Sequence, residues 1–292
     1  MSSPNYFRKS NATTPADPGT VFLTPHWETL LSQADLRTVD DFLSISGKAL
    51  SKPGLGKRYR AQLELRDGSR TILVFYKRYA GESARSWLQR WVEDGVISPV
   101  ACREVRVAHA LEKIGIKTFE PLAWGWTRRG GLAQKSFLIM SQVPGSSTER
   151  WLENASLDWQ KKLRLAQKVA EFAKRLHQNG WYHRDFYLCH IFIEERSGEF
   201  DLALVDLARM FRPRWRTRRW QIKDLAQLNY SAEAKYFSRS LRLYFAKAYF
   251  GCARFNSEQK QILRKIVLRT EQIRRRDLAK TAQQSKLSPQ KN

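Results

Sequence analysis

Acidic residues are what this chain is short of. Against 52 lysines and arginines stand 28 aspartates and glutamates, a net charge of +24. Such an excess attracts polyanions, whether nucleic acid, anionic lipid headgroups or phosphorylated glycans, and does not choose among them. Cysteine is scarce too: Cys102, Cys189 and Cys252 are odd in number and form no C-x-x-C pair. That spacing argues against a disulfide framework or a zinc site and suits a reducing cytosol. No run approaches the roughly 18–20 apolar residues of a spanning helix. The opening "MSSPNYFRKSNATTPADPG" lacks the apolar core of a secretory signal. A soluble protein that stays in the cytoplasm is expected. With 42% hydrophobic residues over 292 positions, the chain is not a disordered one, and it is long enough for one large domain or two lobes sharing a cleft.

Residues 1–25 are rich in Ser, Thr, Pro and Asn and read as a mobile arm. Segment 57–79, "KRYRAQLELRDGSRTILVFYKRY", reads as a β-hairpin turning at Asp67-Gly68. Just upstream, "ISGKALSKPGLG" holds Gly47, Gly54 and Gly56. Such a loop either lays backbone N–H groups over phosphates or is a plain flexible connection. On the second strand Leu73, Phe75 and Lys77 share a face, so Lys77 must snorkel to water or meet an anion. The helix over 98–115 takes Ser98 as N-cap and Pro99 as first helical residue, and closes on Gly115. Ala101, Glu104, Ala108 and Leu111 line one side of it. Glu104 therefore interrupts an apolar stripe, which is costly unless it is paired. Lys77 is its candidate partner; a surface glutamate is the alternative.

A buried strand in 134–147 ends in Pro144-Gly145, and segment 143–147 is the candidate hinge. A helix over 158–178 stops at Asn179-Gly180. Then comes "WYHRDFYLCHIFI" (181–193), with His183-Arg184-Asp185 and, five residues past the Asp, His190. A hairpin follows, turning near Ser197-Gly198 and ending at Asp206. Helix, loop Asp, hairpin and second Asp is the order in which protein kinases arrange their catalytic-loop Asp and metal-binding Asp. Protein kinases place Asn where His190 stands. Imidazole suits softer ions than Mg²⁺, such as Mn²⁺. His190 thus either ligates a metal, hydrogen-bonds phosphate or packs.

On these residues the chain resembles the lipopolysaccharide core kinase family, the heptose and Kdo kinases with a protein-kinase-like fold. The resemblance rests on "HRDFYLCHIF", "YKRY" (76–79), Glu104 in "CREVRVA", "VDLARM" (205–210) and "RWQIKDLAQLNYSA" (219–232). It implies an α+β, two-lobed fold: a small antiparallel β lobe with one key helix over 26–143 and a larger, mainly helical lobe over 144–280. Residues 281–292 are expected to be a disordered tail. The resemblance also implies a phosphotransferase using ATP and Mg²⁺, with Mn²⁺ as an alternative. Asp185 would act as catalytic base. Lys77, Glu104, Gly54, Gly56 and His190 would bind nucleotide, and Asp206 with His190 would hold metal. Asp224 would anchor the catalytic loop through backbone N–H groups.

The basic segment "RPRWRTRRWQIK" (212–223) sits where protein kinases carry an activation loop. Arg214, Arg216, Arg218 and Arg219 are its candidate acceptor-binding residues; a solvated basic loop is the alternative. The expected acceptor is the lipopolysaccharide core or its lipid-linked precursor. The expected location is the cytoplasm, with peripheral contact with the anionic cytoplasmic face of the inner membrane as an option, and nucleic acid is not the expected partner. The helix over 256–280 is amphipathic and reads as the last packed helix of the larger lobe, or one lying on anionic lipid. A protein or small hydroxylic acceptor, and a pseudokinase binding polyanions, remain alternatives.

Overall fold

The computed structural model describes residues 8–10, 19–50, 58–80, 83–94, 98–129 and 132–287. Its first unit, Met1–Val143 with Asp206–Ala208, runs β1 (Arg8–Ser10), β2 (Thr20–Leu23), α1 (Pro25–Gln33), α2 (Val39–Ser44), β3 (Lys48–Ala49), β4 (Arg58–Asp67), β5 (Arg70–Ala80), α3 (Ala84–Asp94), α4 (Val100–Glu112), β6 (Pro121–Arg129) and β7 (Leu132–Ser141). The strands form one antiparallel sheet in the order β1-β2-β6-β7-β5-β4-β3. Period-2 alternation sorts β5 into two faces. Val74 and Tyr76 enter the core with Leu31, Phe42 and Phe137, where the last two rings stack at 4.5 Å. Lys77 and Tyr79 face the other way, towards Glu104 of α4.

Three expectations about this unit need correction. The arm over 1–25 is not wholly mobile, because β1 and β2 extend the sheet and bury Val21 and Leu23. "TVFL" alternates inward and outward, a signal too short to outweigh its Ser/Thr/Pro surroundings. The hairpin turns one residue later than expected: Asp67 pairs with Arg70, and Gly68 and Ser69 make the turn. Gly68 takes φ +58, as the first central residue of a tight hairpin turn requires. Helix α4 likewise begins one residue late, with Pro99 rather than Ser98 at its N-cap.

The second unit, Pro144–Val205 with Arg209–Asn292, starts inside the expected break. It runs β8 (Ser146–Ser147), α5 (Thr148–Asn154), α6 (Trp159–Gln178), β9 (Ile191–Arg196), β10 (Glu199–Leu204), α7 (Thr217–Ser231), α8 (Arg239–Phe250) and α9 (Ser257–Leu287). β8, β9 and β10 form a small antiparallel sheet, with Ser197 and Gly198 turning its hairpin at positive φ. Asp158 caps α6 by accepting from the Lys161 N–H at 2.6 Å, and Gly180 follows its end at φ +76. α6 packs on α8, and α7 on α9. α9 continues through Leu287, so 281–287 are helical rather than tail; 288–292 lie outside the described residues. Among the described residues no helix is long and apolar enough to cross a membrane.

Gly145 is fixed by sterics. It sits at φ +80, and a Cβ there would lie 2.1 Å from the Ile193 carbonyl oxygen. Gly198, at φ +82, has nothing within 4 Å of the same position. Gly145→Ala is expected to lower unfolding stability by at least about 1–3 kcal/mol and Gly198→Ala by clearly less, read as the shift in urea midpoint at constant slope.

Candidate active site

Two cations stand directly opposite each other on the central hairpin: Arg60 on β4 and Lys77 on β5. Like charges so placed repel. Two carboxylates resolve the conflict. Glu104, with no exposed surface, accepts from Lys77 Nζ at 2.7 Å and from the Tyr79 hydroxyl. Asp206 accepts from Arg60 Nη2 at 3.1 Å and lies 3.9 Å from Lys77 Nζ. Burial, then the Glu104 and Asp206 charges, hold the Tyr79 phenol well above its ordinary pKa, so it stays a donor. Asp206 reaches this position from a left-handed backbone, φ +59, which Asp tolerates better than most side chains. The structure thus pairs Lys77 with Glu104, as expected, and places Asp206 beside Lys77 as well. Arg60 and Tyr79 completed the cluster without being foreseen; the alternation of β4 and β5 places both on the Lys77 face or opposite it. Gly54 and Gly56 lie outside the described residues.

In the second unit the loop after α6 is held by one face of α7. Asp224, fully buried, accepts from the backbone N–H of His183 at 2.7 Å and of Arg184 at 2.8 Å. Gln227 Oε1 accepts from the Phe186 N–H at 3.1 Å, and Ser231 Oγ from the Leu188 N–H at 2.9 Å. Positions 224, 227 and 231 fall on one side of a helix. Asp224 does what the resemblance implied; Gln227 and Ser231 extend the same polar stripe, which the sequence carried at i, i+3, i+7. The His183 ring donates from Nε2 to the Val205 carbonyl at 3.0 Å, a loop-building role.

Asp185 projects from this frame and is about one quarter exposed. Both its oxygens accept from Arg209 Nη1, at 2.9 and 2.8 Å. Arg209 lies within "VDLARM", where nothing in the sequence marks it for this contact. His190 donates from Nδ1 to the Asp185 backbone carbonyl at 2.7 Å. A carbonyl can only accept, so Nδ1 carries the proton, and in the neutral ring Nε2 holds the electron pair. In the neutral ring Nε2 can ligate a metal; to hydrogen-bond a phosphate oxygen, which only accepts, Nε2 would have to carry a second proton. Among the described residues no three His, Cys, Asp or Glu side chains form a ready metal cage. A nucleotide-borne Mg²⁺ does not need one: it is commonly held by one or two carboxylates plus phosphate oxygens and water. The Asp206 carboxylate, already at a cation-binding position, fits that role.

The basic segment is not one loop. From Thr217 it is helix α7, because the apolar and polar residues of 217–231 keep helical spacing. Arg214 and Arg216 are exposed ahead of the helix, and Arg216 caps it in a left-handed conformation. Arg218 pairs with Glu258, and Arg219 lies over the Trp220 ring. Burial, then the neighbouring Arg209 and Arg184, push the Lys223 ammonium down to a pKa of about 8, with Asp185 opposing.

Comparison with known proteins agrees with this geometry. Residues 59–249 match the model of the "Lipopolysaccharide kinase (Kdo/WaaP) family". The lipopolysaccharide core heptose(I) kinase WaaP of Escherichia coli K12 is 27% identical over 189 residues, covering 60% of this chain and 70% of that protein. The enzyme of the same name from Pseudomonas aeruginosa PAO1 is 29% identical over 161 residues, 51% of this chain and 59% of that protein. The solved structure "WaaP in complex with acyl carrier protein" superposes with a TM-score of 0.62 at 23% identity, over 86% of this chain and 96% of that one. It shares the protein-kinase-like α+β fold. On the family match over most of its length, the chain belongs to the lipopolysaccharide kinase (Kdo/WaaP) family and is a phosphotransferase that acts on an alcohol group.

Proposed function

We propose that this enzyme transfers the γ-phosphoryl group of ATP to a hydroxyl of a lipopolysaccharide inner-core sugar, a heptose or Kdo. The observation that carries the nucleotide half of this reading is the buried Lys77–Glu104 pair. Lys77, oriented by Glu104, would hold phosphate oxygens as a fixed point charge. Asp206, already flanked by two cations, Arg60 and Lys77, would hold Mg²⁺, with His190 the candidate second ligand. When bound, the ion would neutralise charge on the phosphates. Asp185 would accept a hydrogen bond from the sugar hydroxyl and orient it. The hydroxyl oxygen bonds to the γ-phosphorus, the bond to the β-phosphate oxygen breaks, ADP leaves, and the hydroxyl proton passes towards Asp185.

The acceptor reading rests on the two named heptose(I) kinases and on the net charge of +24, which suits an anionic glycolipid. That charge also supports peripheral attachment to the cytoplasmic face of the inner membrane. A protein acceptor would need no such charge. A polyanion-binding pseudokinase would not need Lys77, Glu104, Asp185 and Asp206 intact.

An acyl carrier protein is a proposed partner, on one observation. The second unit holds a cavity of about 340 Å³ walled by apolar side chains that include Leu165, Val169, Leu188, Leu241 and Phe245. An acyl chain fits such a lining. Adding acylated acyl carrier protein is expected to raise the melting temperature, while the unacylated carrier raises it less; equal shifts would remove the reading.

ADP release from Mg-ATP, with and without purified lipopolysaccharide, tests the main proposal. Acceptor-dependent release is expected. Asp185→Ala should lose about 10²–10⁴ in rate, and Asp206→Ala nearly all activity. His190→Asn should keep measurable transfer. Full activity in either Asp variant would overturn the assignment. Asp224→Ala leaves two loop N–H groups without their acceptor and should lower kcat and stability together, the latter by about 1–3 kcal/mol.

A further inference from the structure

Between α7 and α9 lies a cavity of about 740 Å³ that the proposed transfer does not use. Arg184, Arg218, Arg219, Lys223, Lys265 and Arg269 line it, and among the described residues no carboxylate does. We propose that it binds a phosphate monoester already carried by the acceptor saccharide, so that the enzyme recognises a phosphorylated glycan. This deepens the acceptor reading above and rests on it.

The cations are held in place rather than left to wave in solvent. Trp220 is their hub: the Arg184 and Arg219 guanidiniums each lie 5.3 Å from its ring centre, and Lys223 Nζ lies at 5.8 Å. Arg184 is also 5.1 Å from the Phe211 ring, so two aromatic faces fix it, and its backbone is left-handed at φ +71. Planar guanidiniums fixed in this way suit the forked recognition of phosphate oxygens. Burial first, and then the neighbouring Arg209 and Arg184, depress Lys223. Elsewhere on α9 the basic residues carry their own compensation, Arg274 and Arg275 both pairing with Glu271. A bound phosphate monoester would add compensating charge to the cluster here, beyond the Glu258 carboxylate that Arg218 already meets. The site is concave, which suits a discrete anion better than a flat bilayer.

Its placement fixes the relation to the chemistry. Arg184 precedes Asp185 directly in the loop that Asp224 holds, so one lining residue of the anion site is joined to the proposed base by a single peptide bond. A phosphate held at Arg184 would therefore set where the rest of one saccharide presents its hydroxyl.

The test compares the full-length enzyme with the variant Lys265→Ala/Arg269→Ala, both changes on α9. Acceptors are intact lipopolysaccharide and the same material stripped of phosphate by hydrofluoric acid. On the intact acceptor the variant is expected to raise KM about tenfold, with kcat within about twofold and the KM for ATP unchanged. That corresponds to roughly one charge-assisted hydrogen bond. On the stripped acceptor the two proteins should have equal KM. An unchanged KM on intact acceptor, or an equal rise on both acceptors, overturns the proposal. If the wild type phosphorylates neither, the acceptor reading fails separately, and calorimetry decides the site. Glucose 6-phosphate should then bind the wild type and not the variant, while glucose binds neither. Absence of glucose 6-phosphate binding, or equal binding of inorganic phosphate by both proteins, counts against the site. Loss of sedimentation with phosphatidylglycerol vesicles at unchanged KM would assign the cations to the membrane and overturn it too.

Discussion

A carboxylate with no exposed surface needs donors inside the protein, and Asp224 finds two in the backbone of the loop that carries Asp185. Charge-assisted bonds to backbone N–H groups are among the stronger ones available. They fix main chain rather than a rotatable side chain. With Gln227 and Ser231 continuing the ladder, α7 acts as a template on which the loop is laid. The geometry of Asp185, His190 and Arg184 all follows from that template. Arg184 tolerates its left-handed backbone because its own N–H is one of the two that Asp224 holds.

The first unit solves a related problem with a second buried carboxylate. Arg60 and Lys77 face each other across β4 and β5, an arrangement that a sheet alone would not favour. Glu104 and Asp206 make it tolerable, and Tyr79 completes the coordination of Glu104. Removing one partner of such a network leaves the rest uncompensated, so these residues stand or fall as a group.

How much of this was legible follows from the kind of signal each feature leaves. Lys77 and Glu104 were visible because a charged residue on an apolar face stands out against strand and helix periods. Asp224 was visible only through resemblance, since nothing local marks an Asp on a basic helix as buried. Arg209 was missed because its role depends on a contact 24 residues away in sequence. Arg60 was missed because its meaning comes from cross-strand register rather than from its own strand. Residues 217–223 stand out in the sequence as part of a basic segment at the activation-loop position, and that charge masks their helical spacing. β1 and β2 were read as an arm because short edge strands carry little periodicity.

The clamp of Arg209 on Asp185 bears on which nucleophile the enzyme rejects. An acceptor must share the carboxylate with a guanidinium that already engages both oxygens. A saccharide anchored elsewhere brings binding energy to offset that competition. Water brings none. With Asp185 as the proposed base, the same ion pair would favour an anchored saccharide over solvent.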